Sequence, residues 1–236
     1  MKLSIAELTV EIFPAHELLQ ERVGPYLCDE DRQPDLCFDG VTERFYRDRA
    51  AEHPEITLAE SEYLYSGMYF YEQLARFEGL MLHASAVELD GLCYLFSAPS
   101  GTGKSTHTHI WLRVFPGARI INDDKPAIRR VNGRFLAYGT PWSGKTDESV
   151  NVGVPIAGVC FLGRGENAIH RLTPSEAFPL FMDQTVRPYD KSLMLPMLQT
   201  LDTLLREVPF YQMTCDMTDD AAHMSRSAMQ PTEELL

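Results

Sequence analysis

The chain has 236 residues, 44% hydrophobic and 23% charged, which suits one globular domain with at most a small appendage. Thirty-four acidic residues against 21 basic ones leave a formal charge of −13. That balance argues against broad attraction to nucleic acid or to an anionic membrane, so any grip on a polyanion must come from a local site.

No apolar run is long enough to predict a membrane span. Glu7 and Glu11 interrupt the apolar opening, which does not read as a signal peptide. Cys28, Cys37, Cys93, Cys160 and Cys215 are scattered with no C-x-x-C pair, as suits reduced thiols in the cytoplasm.

In chain order, residues 2–13 alternate loosely and predict a strand. "FPAHELLQERVGPYL" predicts a short helix broken at Gly24–Pro25. Residues 27–57 are polar, with a turn expected in "DEDRQPD" and a short strand in "DLCFDG". Residues 1–58 read as a small β/α lead-in and 59–236 as the main domain. "TLAESEYLYSGMYFYEQLARFEG" predicts a long helix, because Thr57 can cap it with Glu60 three places on, and Gly79 is expected to stop it. Its Tyr and Phe residues read as core packing.

From residue 81 short apolar runs alternate with sharp turns. "LHASAVEL", Asp90–Gly91 and "LCYLFS" predict a β-hairpin, since Asp-Gly supplies the positive φ of a primed turn. A helix over 104–115 is ended by Pro116–Gly117, and "ARIIN" reads as a buried strand. "AIRRV", Asn132–Gly133 and "RFLAY" predict a second hairpin, and "IAGVCFL" another strand. "TPSEAF" opens a helix capped by Thr173 with Glu176. Helices over 190–206 and 218–229 flank the strand "FYQMTC". The two hairpins argue against a purely parallel sheet.

"LFSAPSGTGKSTHTHIW" carries the chemistry. It matches the phosphate-binding pattern G-x-x-x-x-G-K-[ST] except that Ala98 replaces the first glycine. Pro99 already restricts residue 98 to an extended backbone that alanine adopts freely. A strand enters and a helix leaves, so N–H groups and the helix dipole converge on one point. Gly101 and Gly103 let the backbone curl into an anion nest. Lys104 places a charge on the β- and γ-phosphates, and Ser105 offers a hydroxyl to Mg²⁺. The nucleotide-binding set is Ser100, Gly101, Thr102, Gly103, Lys104, Ser105 and Thr106. His107 and His109 lie two apart and point to different sides of the helix, which suits packing rather than a metal pair.

"ARIINDDKP" is the second element. An apolar strand ends in Asp123 and Asp124, only 19 and 20 residues after Lys104, so one helix and one turn are expected to set it beside the loop. One carboxylate can hold Mg²⁺ and the other can take a proton from an attacking hydroxyl. The alternative is a solvated turn before a hairpin. Lys125 either neutralises transferring phosphate or balances the aspartates. "YGTPWSGKTDES", with Trp142 and Lys145, is either a cover for the nucleotide or acceptor or a plain surface turn. Arg187 in "QTVRP" is a candidate transition-state cation, and Arg164 between two glycines is similar.

"HASAV", "SGTGKST" and "INDD", in that order over residues 80–165, resemble the catalytic core of HPr kinase/phosphorylase. That core is shared with ATP-dependent phosphoenolpyruvate carboxykinase. With "DDKP" and "GTPWSGK" added, the whole chain resembles small bacterial HPr-kinase-like proteins, some of which serve peptide-modifying clusters. The resemblance implies a mixed-sheet α/β P-loop kinase core with flanking helices, using ATP and Mg²⁺. It implies catalytic roles for Asp123, Asp124, His83 and Lys104, His83 lying near the γ-phosphate. Metal contact falls to Ser105 and Asp124, with the division between the two aspartates open. The glycine-rich signature of the phosphorylase half-reaction is absent, so dephosphorylation is not implied, nor is HPr as substrate. The family forms hexamers, and a homo-oligomer here is implied only by that resemblance.

The leading expectation is a Mg²⁺- and ATP-dependent kinase acting on a hydroxyl: serine of a peptide or protein, or a small alcohol such as a free amino acid. The alternatives are an NTP-hydrolysing switch, predicting phosphate release without acceptor, and a phosphate-sensing module without chemistry. No N-K-x-D element favours a GTPase, and a mere sensor gains nothing from carboxylates beside its ligand.

Overall fold

The computed structural model describes residues 1–29, 32–39 and 41–231. Glu30 and Asp31 of the turn expected in "DEDRQPD", and Gly40 closing "DLCFDG", lie outside them.

The chain opens with an antiparallel pair, β1 (Lys2–Ile5) and β2 (Leu8–Glu11), where a single strand over 2–13 is expected from sequence. Ala6 and Glu7, with φ of 51° and 60°, turn the chain back. Neither is a residue that marks such a turn. Helix α1 (Glu17–Val23) passes into a 3₁₀ turn at Gly24–Tyr26, at the expected break. β3 (Leu36–Cys37) adds to β2 in parallel.

Helix α2 (Glu43–Glu52) is an addition to polar 27–57, where the sequence predicts only a turn and a short strand. Its one buried residue is Tyr46, so it has no apolar stripe to betray it. The Thr42 cap and the Arg47–Glu43 pair, 2.6 Å apart across one turn, support it locally.

Helix α3 (Leu58–Gln73) starts with the expected capping box: Thr57 Oγ1 accepts from Glu60 N at 3.2 Å, and Glu60 Oε2 accepts from Thr57 N at 2.7 Å. Its end is different. A 3₁₀ turn follows over Leu74–Phe77, and Glu78, not Gly79, takes the left-handed conformation; Gly79 already begins β4 (Gly79–Met81).

The other elements are β5 (Ala84–Leu89), β6 (Leu92–Ser97), α4 (Lys104–Val114), β7 (Arg119–Asn122), β8 (Ala127–Val131), β9 (Arg134–Tyr138), β10 (Gly153–Arg164), β11 (Ala168–Leu172), α5 (Pro174–Met182), α6 (Met194–Glu207), β12 (Phe210–Cys215) and α7 (Asp219–Met229). Both expected primed turns form, with positive φ at Asp90, Gly91, Asn132 and Gly133. β4 and β11 were not foreseen.

The main sheet runs β4-β8-β9-β10-β6-β5-β7. The first residues of β10 pair antiparallel with β9; farther along it pairs in parallel with β6 on one edge and β12 on the other. The sheet is therefore mixed, as the hairpins require, and it curls where β10 changes partner. β7 pairs with β5, so it lies one strand away from β6 rather than directly beside the loop's own strand.

The period of two along β6 sorts the core. Cys93 and Leu95 join the face covered by α5 and α6, while Tyr94 and Phe96 meet Trp111 of α4 and Ala221 and Ala222 of α7 on the other. Leu3, Ile5 and Val10 of the small sheet pack with Phe70, Tyr71 and Leu74 around α3. Among the described residues no helix is long and apolar enough to cross a membrane.

Candidate active site

Two parallel strands, β6 and β7, finish at the same end of the sheet, and each feeds a polar turn there. Between Ser97 and Lys104 the β6 turn makes the phosphate-type loop, with φ of 77° at Gly101 and 117° at Gly103. A Cβ at either glycine would meet nothing within 4 Å, so glycine is needed for the backbone conformation and not for room. Ala98 is buried against the core that includes Phe96 and Ile110, and its carbonyl accepts from Lys104 Nζ at 2.9 Å. Arg164, at the end of β10, donates to the Gly101 carbonyl at 2.7 Å and so ties down the loop.

At the β7 end, buried Asn122 shapes the turn. Its Oδ1 accepts from Asp124 N at 3.0 Å and from Lys125 N at 2.7 Å, and its Nδ2 donates to the Thr140 carbonyl at 3.2 Å. The two aspartates therefore diverge. Buried Asp123 accepts from three hydroxyls: Ser85 at 2.6 Å, Ser105 at 2.9 Å and Thr146 at 3.1 Å. Asp124 faces His83, whose Nε2 lies 3.1 Å from Oδ1, and Lys125, which donates to Oδ2. His83 is held in turn by Gln184, 3.1 Å from Nδ1.

These settings act on charge. Burial alone would raise the Asp124 carboxyl, but the His83 hydrogen bond and the Lys125 charge and hydrogen bond outweigh it and bring it down to about 2. Burial lowers the Lys104 ammonium, against the opposing pull of Asp124 and Asp123.

The loop over 138–149 closes the site. Thr146 reaches Asp123, and the Gly144 amide donates to Tyr63 Oη at 3.0 Å. Trp142 is buried, stacked on Phe70 at 5.0 Å, with Nε1 donating to Ser66 at 3.1 Å. Arg22 of α1 donates to Ser143 at 2.9 Å and pairs with Asp147.

The phosphate-type loop, the carboxylate turn and residues 143–146 surround a chamber of about 820 Å³. Of the residues singled out from sequence, Ser100, Gly101, Gly103, Lys104, Ser105, Thr106, His83, Asp123, Asp124, Lys125 and Lys145 line it. Thr102 faces a second cleft on the loop's other side. Arg187 is not brought to the chamber: its guanidinium donates to the Met182 carbonyl at 3.2 Å and faces Asp183. The Ser105 hydroxyl donates to Asp123 at 2.9 Å, while Asp124 lines the same chamber. His107 is buried against Phe96 with Nε2 3.1 Å from Ser225 Oγ, while His109 lies over the Ser105 carbonyl.

Sequence reasoning missed Arg22, Ser85, Tyr63, Thr146 and Gln184. Ser85 carried a usable signal, since it lies two residues from His83 on one face of a strand. Arg22 carried none, its hydrogen-bond partners Ser143 and Asp147 lying more than 120 residues away.

No family model and no curated protein matches the chain. Among solved structures it is similar to the HPr(Ser) kinase/phosphatase from Coxiella burnetii, at 11% identity and a TM-score of 0.38, over 63% of this chain and 97% of that one.

Proposed function

We propose that this chain is an ATP- and Mg²⁺-dependent phosphotransferase that passes the γ-phosphoryl group to a hydroxyl, with the serine of a peptide or protein as acceptor. One observation carries the reading: Lys104 and Ser105, at the start of α4, share a chamber with two carboxylates in unlike settings.

Magnesium takes oxygen ligands and is commonly held by one or two carboxylates plus water and substrate phosphates. Asp123 with the Ser105 and Thr146 hydroxyls supplies such oxygens, and among the described residues no group of three His, Cys, Asp or Glu offers a closed cage. The residues fit. Bound there, the ion would neutralise charge on the transferring phosphate.

The loop amides and Lys104 would hold the phosphates, and the cleft of about 410 Å³ lined by Thr102, Ile110, Arg164 and Met217 would seat the nucleoside. The acceptor oxygen bonds to the γ-phosphorus as the bond to the β-phosphate oxygen breaks, releasing ADP. The acceptor proton passes to Asp124. His83 orients that carboxylate, and Lys125 has the incoming phosphate as a competing partner; when it turns away, part of what depresses Asp124 is removed and its basicity rises. Catalysis is then mainly positioning and charge neutralisation, as phosphoryl transfer requires.

The test is intact-mass and phosphate-release analysis with Mg·ATP, offering serine-containing peptides, free serine or no acceptor, with wild type and Asp124→Asn. Acceptor phosphorylation that depends on Asp124 supports the reading. Phosphate release that needs no acceptor would replace it with a nucleotide-driven switch.

A further inference from the structure

Beside the chamber lies a second concavity of about 310 Å³ whose chemistry is different. It follows one stripe of α3, where Tyr63, Leu64, Gly67, Met68 and Tyr71 recur at helical spacing. Phe70 and Tyr71 are committed to the core, yet Leu64 and Met68 remain 38% and 50% exposed. An apolar helix edge thus opens on solvent at the mouth of a polar site.

Trp142 is one wall. A Cβ on Gly67 would stand 2.8 Å from its ring, so the indole lies flat on the helix only because residue 67 is glycine. Apart from tyrosines, the titratable lining of the concavity is confined to Lys125, His53 and Glu55, the last two in contact with each other.

Position identifies the occupant. The concavity shares Ile56, Tyr63, Leu64 and Lys125 with the chamber. The phosphate-loop residues line the chamber but not this extension. Tyr71 Oη donates to the Lys125 carbonyl at 2.6 Å, which fixes the apolar wall to the turn that carries Asp124. A group seated here therefore reaches the chamber past Lys125, beside the carboxylate turn and away from the phosphate loop.

We propose that the acceptor carries an aromatic or branched aliphatic group next to its hydroxyl and that Ile56, Leu64, Met68 and Trp142 hold this group, setting acceptor specificity. The proposal rests on the phosphotransfer reading for its acceptor but on the apolar pocket for its chemistry.

The experiment compares N-acetyl-serine amide with N-acetyl-seryl-phenylalanine amide and N-acetyl-phenylalanyl-serine amide as acceptors, using wild type and Met68→Glu. One or both phenylalanine compounds should exceed the plain amide in kcat/KM by on the order of tenfold to a hundredfold, mainly through KM. Met68→Glu should bring that ratio towards one. In parallel, the alanine counterparts of the two dipeptides, which cannot be phosphorylated, are titrated while the ¹³C-methyl signals of Met68 and Ile56 are followed. Saturable shifts of those methyls are expected.

Transfer with equal kcat/KM for all three acceptors and unmoved methyls would overturn the pocket while leaving phosphotransfer intact. A phenylalanine preference that survives Met68→Glu would also overturn it. Saturable methyl shifts without transfer to any acceptor would support the pocket and remove the kinase reading instead.

Discussion

A Cβ on Gly144 would stand 2.7 Å from the Cβ of Asp124. The residue also has a φ of 79°, and its amide is tied to Tyr63. The 138–149 loop is thus braced on the carboxylate turn at one point where neither space nor backbone tolerates a side chain. Gly144→Ala is expected to lower phosphoryl transfer at least tenfold and stability by about 1–3 kcal/mol. Steady-state kinetics and urea unfolding check both. Wild-type turnover in this variant would show that the loop does not set the position of Asp124.

The two aspartates should fail differently. Asp124→Asn removes the proton acceptor and is expected to cost about 10²–10⁴ in kcat with ATP affinity retained. Asp123→Asn disturbs the oxygen set shared with Ser105 and Thr146, so the Mg²⁺ concentration for half-maximal rate should rise. Matched Mg²⁺ and ATP titrations separate the two. Identical profiles would sink the division of roles.

Lys104→Met should weaken ATP binding by tenfold or more, since the charge of a buried lysine at the loop is replaced by an uncharged chain of similar length. A fluorescent nucleotide titration reads the loss directly. Unchanged affinity would place the phosphates elsewhere.

His107 predicts a pH dependence. Burial brings its imidazole down to about 4 from an ordinary value near 6.5. The unfolded chain therefore binds the extra proton first, and stability present above about pH 6.5 is lost as the pH falls towards 4. At full effect the loss is about 3 kcal/mol. His107→Leu should flatten the urea-midpoint profile across that window, and an equally steep profile would assign the slope to other groups.

Elements specified within a few residues were legible from sequence. Asp90–Gly91 and Asn132–Gly133 demand positive φ, and Thr57 with Glu60 and Thr173 with Glu176 satisfy helix-start N–H groups locally. What escaped lacked such marks: the turn at Ala6–Glu7, polar α2, three-residue β4, and β11, whose residues are mostly exposed.

The same boundary divides the site. Lys104, Ser105, Asp123, Asp124 and His83 stood out because phosphate loops and strand-end carboxylates have local patterns. Which aspartate meets which partner was decided by β5 lying between β6 and β7: Ser85 on β5 reaches Asp123, and His83 just before its start reaches Asp124. Arg22, Tyr63 and Thr146 arrived through packing of α1, α3 and the 138–149 loop. Backbone preference acts over a few residues, and the amino-acid sequence alone determined the loop, its glycines and the nearby acids. Strand order and helix docking follow from burying apolar faces across the whole chain, and only the tertiary structure decided how those acids are divided and what opens beside them.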